Sequence, residues 1–412
     1  MTGQGGADAP QWTDGKHGSA GYAPPVRGAC GVAVTRRRVL FTSHDAGGTV
    51  PPMLALAEAF VARGDAVVVL SQPSVRARAE AAGCAFLAFS DLPDYAPRQA
   101  IEDQLDLSLR AITAQTIGDD VIAAAKEHAS DLLVVDANLA GALAAAEQLD
   151  RPSAVLLHSM YTTFVTSWFA DYWSFLEPAI NETRDAFGLA PARDWPGVFA
   201  GHDRLLAVVP QAFDAPVADT PGALRHFGFL VPTARVAPGA TDFGAGEEPK
   251  VLVGLSTTYQ RQEELLEVIL DALGGLGVQG LVTTAGQIDD GALPHPANVT
   301  ITDYVPHATV LDHTDVMVTH GGLGSIASAL SFGVPLVCTP VSRDQFVNAE
   351  RVAAVGAGIA LAESPSAAQV ATAIKQVLSK PKFRAGAQAM ADASRASGGA
   401  AAAVAELDTL LD

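Results

Sequence analysis

Apolar residues along this chain fall into two alternating patterns. Short unbroken runs are followed by longer segments in which apolar positions return every three or four residues. The runs read as strands covered on both faces, and the periodic segments as helices lying over them. Val39–Ser43 predicts a strand, Pro52–Arg63 a helix that Gly64 stops, and Ala66–Leu70 a second strand. The alternation returns in strand Asp131–Asp136, helix Leu139–Leu149 and strand Ser153–His158, with Leu205–Val209 as the expected last strand of this half. Strands at Val251–Gly254, Gly280–Thr284, Val299–Thr302, Val316–Thr319 and Pro335–Thr339 follow, with helices at Glu263–Leu273 and Ser325–Phe332. An Ala-rich helix from about Gly398 closes the chain. Strand–helix alternation in both halves predicts an α/β protein with two parallel-sheet, Rossmann-like domains, whose ligands bind beyond the carboxyl ends of the strands and across a cleft.

The boundaries that follow are a disordered tail at 1–35, a first domain at 36–215, a Pro/Gly-rich linker at 216–248 and a second domain at 249–395. The terminal helix, 396–412, is free to pack back on the first domain. A chain of 412 residues has enough apolar material for two cores. Its formal charge of −19 argues against nucleic acid as a partner, although backbone N–H groups can still hold a small anion. Cys30, Cys84 and Cys338 match no disulfide or zinc spacing, and no run is long enough for a membrane span or a secretory signal. A cytoplasmic location is the simple expectation.

The most informative segment runs Val318-Thr-His-Gly-Gly-Leu-Gly-Ser and on to Gly333-Val-Pro335, followed by Pro340-Val-Ser-Arg-Asp-Gln345. A buried strand ends at Thr319. His320, Gly321, Gly322 and Gly324 then form a turn that a ligand can approach closely, and a helix starting near Ser325 offers free N–H groups to a diphosphate. His320 and Ser325 can each add a side-chain contact. Taken alone, the glycines could equally make a tight connection.

Together with Asp303-Tyr-Val-Pro-His-Ala-Thr-Val-Leu-Asp-His313, this block resembles the donor signature of family 1 glycosyltransferases. There, Trp-x-Pro-Gln leads to Leu-x-His, His-x-Gly, Gly-Val-Pro and Pro-x-x-x-Asp-Gln. The chain is similar in particular to the bacterial branch that glycosylates polyketides and macrolides. The resemblance implies the GT-B fold and a UDP- or TDP-sugar donor. It implies phosphate contacts from His320, Gly322 and Ser325, and sugar hydroxyls on Asp344 and Gln345. Ser256 and Thr257 match the loop that approaches the nucleotide from the other side. Tyr304, with Val305, stands where the family stacks the base on Trp, and His307 where it reads the base with Gln. Ser328 replaces the usual ribose-binding Glu, which leaves UDP and TDP both open.

Near the amino end, Ser43-His-Asp-Ala-Gly-Gly-Thr49 resembles the family's first strand–turn–helix, but Thr49 occupies the place of the catalytic histidine. Threonine is no base near neutral pH. Asp45 is the first replacement to consider and His44 the second, since both follow the first strand into the expected cleft. Asp136 matches the aspartate that orients the missing histidine, and it can also serve as a helix N-cap. Seven aromatics crowd residues 161–175. Of these, Tyr161, Phe164, Trp168 and Trp173, along with Thr49, are expected to line a pocket for a bulky apolar acceptor.

The expected reaction is an inverting transfer without a metal or other cofactor, the nucleotide sugar being a co-substrate. Two rivals remain at this level: a sugar-nucleotide epimerase or hydrolase, and a non-catalytic auxiliary protein that kept the fold. A dinucleotide oxidoreductase is disfavoured, because Gly47-Gly-Thr49 is no G-x-G-x-x-G and no acid follows the second strand. The sequence names neither the acceptor nor the sugar nor the oligomeric state.

Overall fold

The computed structural model describes residues 36–94, 101–231, 243, 246–256, 260, 262–288, 291 and 293–412. The tail expected at 1–35, the proposed donor residue Thr257 and most of the expected linker beyond 231 lie outside the described residues.

The first sheet holds β1 (Arg38–Thr42), β2 (Ala66–Ser71), β3 (Ala85–Ala88), β4 (Leu132–Asp136), β5 (Ser153–Leu157), β6 (Arg204–Ala207) and β7 (Leu224–His226). The second holds β8 (Lys250–Gly254), β9 (Gln279–Thr283), β10 (Val299–Thr302), β11 (Val316–Thr319), β12 (Leu336–Cys338) and β13 (Gly358–Ala360). All pairings in both sheets are parallel. This is why the central strands read as unbroken apolar runs: Leu132–Val135 and Ala154–Leu157 are buried on both faces.

Strand order decides where ligands go. The first sheet runs β3-β2-β1-β4-β5-β6-β7 and the second β10-β9-β8-β11-β12-β13. Each reverses direction once, between β1 and β4 and between β8 and β11, and the crevice outside the carboxyl ends at such a switch point is the natural binding place. In the register, Thr42 pairs with Val135 and Asp136 with Leu156, so the residues leaving β1, β4 and β5 emerge side by side.

Three expectations are corrected. Leu205–Val209 is not the last strand of its sheet, since β7 pairs beyond it from within the stretch read as linker. At three residues, Leu224-Arg-His226 is too short and too polar to show a period. Strands β3 and β13 went unseen for the same reason of length, being four and three residues long. The helix assigned to Ser325–Phe332 begins earlier, at Leu323, with Gly322 as its N-cap.

The carboxyl-terminal helix Gly399–Asp408 lies on the first-sheet side, against the helix Val50–Arg63. Ala403, Val404 and Leu407 enter the same apolar cluster as Phe60 and Val69. Arg63 pairs with Asp408, and Arg204 and Arg225 both donate to Glu406 Oε1 at 2.6 and 3.1 Å. The chain therefore leaves the first domain near Phe227 and returns near Ser394. The two crossings touch: Gly399 N–H donates to the Phe227 carbonyl at 3.0 Å, and Phe229 N–H to Ser394 Oγ at 2.8 Å.

Candidate active site

The first centre is built around Asp136, the last residue of β4. Its carboxylate is 1% exposed and fully engaged. Oδ1 accepts the Asn138 N–H at 2.9 Å, and Oδ2 accepts the Ser43 hydroxyl at 2.8 Å. Two histidines flank it. His158, one residue beyond β5, brings Nδ1 within 3.2 Å of Oδ1, whereas His44 Nδ1 stands 3.7 Å from Oδ2. Neither nitrogen is aligned for a full hydrogen bond with the carboxylate.

The charges follow from this packing. Burial pushes the Asp136 pKa up, but the two imidazoles beside it outweigh burial, and the carboxyl ends well below its usual range. Burial works to lower the His158 pKa, and Asp136 together with Asp344 overcomes it, so the net shift is upward. Asp344 belongs to the loop after β12, so the His158 ring feels both halves of the molecule. Its edges face the rings of Phe164 and Phe169 at 6.3 and 6.1 Å. Nε2 lies 3.3 Å from the Asn138 side-chain amide nitrogen.

The residues expected to replace the missing base behave differently from that expectation. The Asp45 carboxylate accepts from Ser74 at 2.9 Å and pairs with Arg78. Thr49 is 3% exposed and spends its hydroxyl on the His44 carbonyl, which leaves it nothing to offer an acceptor. Tyr161 and Phe164 are core residues, 2% and 1% exposed, rather than pocket lining. Phe164 stacks on Phe169 at 4.2 Å and meets Trp195 edge-on at 5.7 Å. Much of the aromatic crowding is therefore spent on packing around buried Trp195. Trp168 and Trp173 remain partly exposed, with Tyr172 and Phe175 more so at 46% and 66%. The Trp173 indole N–H and the Ser167 hydroxyl are enclosed without a partner among the described residues.

The second centre follows β11. Gly321 takes φ +88°, and a side chain there would run into the Gln345 carbonyl. At Gly322 a Cβ would stand 2.5 Å from His320 Nε2, so only glycine leaves that nitrogen open. The helix Leu323–Ser331 then starts without a side-chain cap. Its Ser325 and Ile326 N–H groups bond back to the Gly322 carbonyl, while those of Leu323 and Gly324 have no partner among the described residues and suit an anion. His320 is buried and hydrogen-bonded to the Gly254 backbone. Burial, aided by the positive charge of nearby Arg343, brings its pKa down to about 4. Arg343 itself sits at φ +59°, in the left-handed region.

The loop after β12 is braced from inside. Gln345, 2% exposed, accepts from the Val341 and Ser342 N–H groups and donates to Gln260 at 2.8 Å. With both ends of its amide used, Gln345 shapes the loop instead of presenting itself to a ligand. One Asp344 oxygen accepts from Asn348 at 2.9 Å, and the other has no partner among the described residues. Ser256 is likewise engaged, its N–H on Gln262 and its hydroxyl taking Gln260 Nε2. His307 packs against Gly254, with Nε2 3.0 Å from the Thr283 hydroxyl, and burial lowers its pKa to about 4. Val305 is buried, whereas its neighbour Tyr304 is 72% exposed. Sequence reasoning missed His158, Asn138 and Arg343. For His158 the available signal was a titratable residue directly after a buried strand.

The chain is similar to several known proteins. Residues 267–410 match the family described as erythromycin biosynthesis protein CIII-like, C-terminal domain. The 4'-demethylrebeccamycin synthase of Lentzea aerocolonigenes is 28% identical over 403 residues, covering 84% of this chain and 93% of that protein. Among solved structures, the glycosyltransferase of kitacinnamycin superposes with a TM-score of 0.77 at 23% identity, covering 92% of this chain and 99% of the other. The glycosyltransferase VinC in complex with dTDP gives 0.68 at 21% identity, covering 91% and 99%. The fold is GT-B. Among the described residues no helix is long and apolar enough to cross a membrane.

Proposed function

We propose that this chain, a glycosyltransferase of the GT-B fold, moves a sugar from a UDP- or TDP-sugar, with inversion, to a hydroxyl of a small apolar natural product. The observation that carries the reading is the uncapped start of the helix Leu323–Ser331, with His320 Nε2 close beside Gly322 and the Asp344 carboxylate in the same domain. That combination suits a diphosphate at the helix end and sugar hydroxyls on the acid. The exposed aromatic ring of Tyr304 suits stacking on the base.

In the reaction, the acceptor oxygen loses its proton to a base at the Asp136 centre and attacks the anomeric carbon. The bond from that carbon to the diphosphate oxygen breaks, and the nucleoside diphosphate leaves. Its charge is held by the Leu323 and Gly324 N–H groups, His320 and Arg343. The scheme draws its leaving-group stabilisation from these groups and requires no metal. A hydroxylated aromatic or polyketide acceptor suits the segment around Trp168 and Trp173, with the unused Trp173 N–H and Ser167 hydroxyl as hydrogen-bonding points. Two relatives with names in antibiotic chemistry support this acceptor class: the rebeccamycin-type synthase above and a mycarosyltransferase of Streptomyces fradiae, 31% identical over 220 residues, about half of each chain.

Calorimetric titration with UDP and with TDP, on the wild type and on His320→Ala, tests the reading. One nucleotide is expected to bind tightly, with the variant weaker by about 10- to 100-fold. Failure of both nucleotides to bind the wild type would remove the donor site and favour an auxiliary protein.

A further inference from the structure

The fold supplies an orienting aspartate but no histidine at the place of Thr49, and the carboxylate of Asp136 lies between two other imidazoles. Geometry separates them. His158 Nδ1 is at 3.2 Å from Asp136, against 3.7 Å for His44. The His158 side chain is 11% exposed and that of His44 3%, so an acceptor oxygen can reach the first and scarcely the second. His44 also lies deep in the turn, its carbonyl tied to the Thr49 hydroxyl. Asp45 is held by Arg78 and Ser74.

Position adds to this. Because the first sheet runs β1-β4-β5, the residue after β5 stands beside the end of β4. The base in an inverting transfer must lie close to the anomeric carbon. His158 is the imidazole that feels Asp344, the acid proposed to hold the sugar. The aromatic rings of Phe164 and Phe169 form its side walls, and Trp168 and Trp173 belong to the same aromatic segment.

We infer that His158 takes the proton from the acceptor hydroxyl, with Asp136 as the positioning residue that fixes its ring. This rests on the transferase reading given above. With Nδ1–H toward Asp136, Nε2 carries the lone pair, and the acceptor O–H takes it over from the Asn138 side-chain N–H, 3.3 Å away. After transfer the imidazolium is stabilised by the Asp136 carboxylate and releases its proton to solvent. Among the described residues, the charged groups acting on His158 are Asp136, from β4, and Asp344, from the loop after β12. Both favour the protonated ring, so the acidic limb of kcat/KM belongs above the ordinary histidine value of about 6.5.

The test compares wild type, His158→Gln and His44→Gln with TDP-glucose and UDP-glucose as donors and phenols of graded acidity as acceptors. A nitrophenol ionises near neutral pH and needs no base, whereas an unsubstituted phenol does. His158→Gln should lose about 100-fold or more with phenol and far less with the nitrophenol, while UDP or TDP still binds. His44→Gln should keep the wild-type dependence on acceptor acidity. Titration of the His158 ring by NMR, in the free protein, should give a midpoint above 6.5 that falls in Asp136→Asn. Equal losses on both phenols, transfer of the acidity dependence to His44→Gln, or a His158 midpoint unmoved by Asp136→Asn would each overturn the assignment. Loss of nucleotide binding by the wild type would instead sink the transferase reading, and this inference with it.

Discussion

The two halves of the molecule build their sites by different means. In the second domain the ligand-facing groups come largely from one continuous stretch, where backbone N–H groups, glycines and His320 follow one another from β11 into a helix. In the first domain nothing of consequence is local. Ser43, Asp136 and His158 come from three separate strand ends, and only the order β1-β4-β5 makes them neighbours. The lesson concerns what each site tolerates. A backbone site depends on space and is damaged by adding atoms, while a side-chain site depends on particular nitrogens and oxygens and is damaged by exchanging them.

The sharpest way to separate the two is an isosteric change at the side-chain site. Asp136→Asn keeps the shape but removes the charge between the imidazoles, and kcat should fall about 1,000-fold while nucleotide affinity holds. The surviving activity should show its acidic limb at lower pH than wild type, because burial then acts on His158 with less opposing charge. Initial rates across pH, with calorimetry alongside, check both parts.

The converse experiment adds bulk to the backbone site. Gly322→Val places a side chain against His320 Nε2, only 2.5 Å from where a Cβ would sit, and beside the open helix end. Nucleotide affinity should drop about 100-fold, the equivalent of losing one or two charge-assisted hydrogen bonds. Retained affinity would mean that the phosphates bind elsewhere.

A smaller effect concerns protons. Free His320 has a pKa of about 4 and is neutral near pH 7. A diphosphate bound beside it favours the charged ring. The bound pKa is therefore the higher one, and nucleotide binding should strengthen as pH falls from that value toward about 4. Arg343 beside it opposes the uptake, and the diphosphate favours it. Calorimetry in buffers of different ionisation enthalpy measures the uptake directly; zero uptake would leave His320 out of the phosphate site. The smallest change is Tyr304→Ala, expected to weaken nucleotide binding by about 1 kcal/mol, roughly five-fold, through lost stacking. With its ring 72% exposed, thermal stability should stay the same.

The same contrast explains what could be read before the structure. The donor turn was legible because its chemistry lies in consecutive residues, and even there the helix start was displaced by two positions, to Leu323. The long central strands were legible by their unbroken apolar runs. Strand β7 was not, since Leu224-Arg-His226 carries no pattern. Gln345 illustrates another limit: a motif gives a residue its place, yet the inward turn of its amide onto Val341, Ser342 and Gln260 depends on a loop 85 positions away. His158 was passed over for a related reason. Its significance lies in Asp136, 22 positions earlier in the chain (158 − 136), and strand order alone brings them together.

The paired crossings near Phe227 and Gly399 have a mechanical consequence. A module tethered by one strand can swivel about a point, but one tethered by two adjacent, cross-linked strands can only fold along the line between them. The second domain is, in topological terms, an insertion, and two such crossings allow it only a book-like hinge, with Ser394 and Phe229 at the spine. Cutting the chain before Gly399 removes one of the two tethers and with it the fixed axis, so a truncated protein should keep its nucleotide pocket yet lose the alignment that brings one page onto the other.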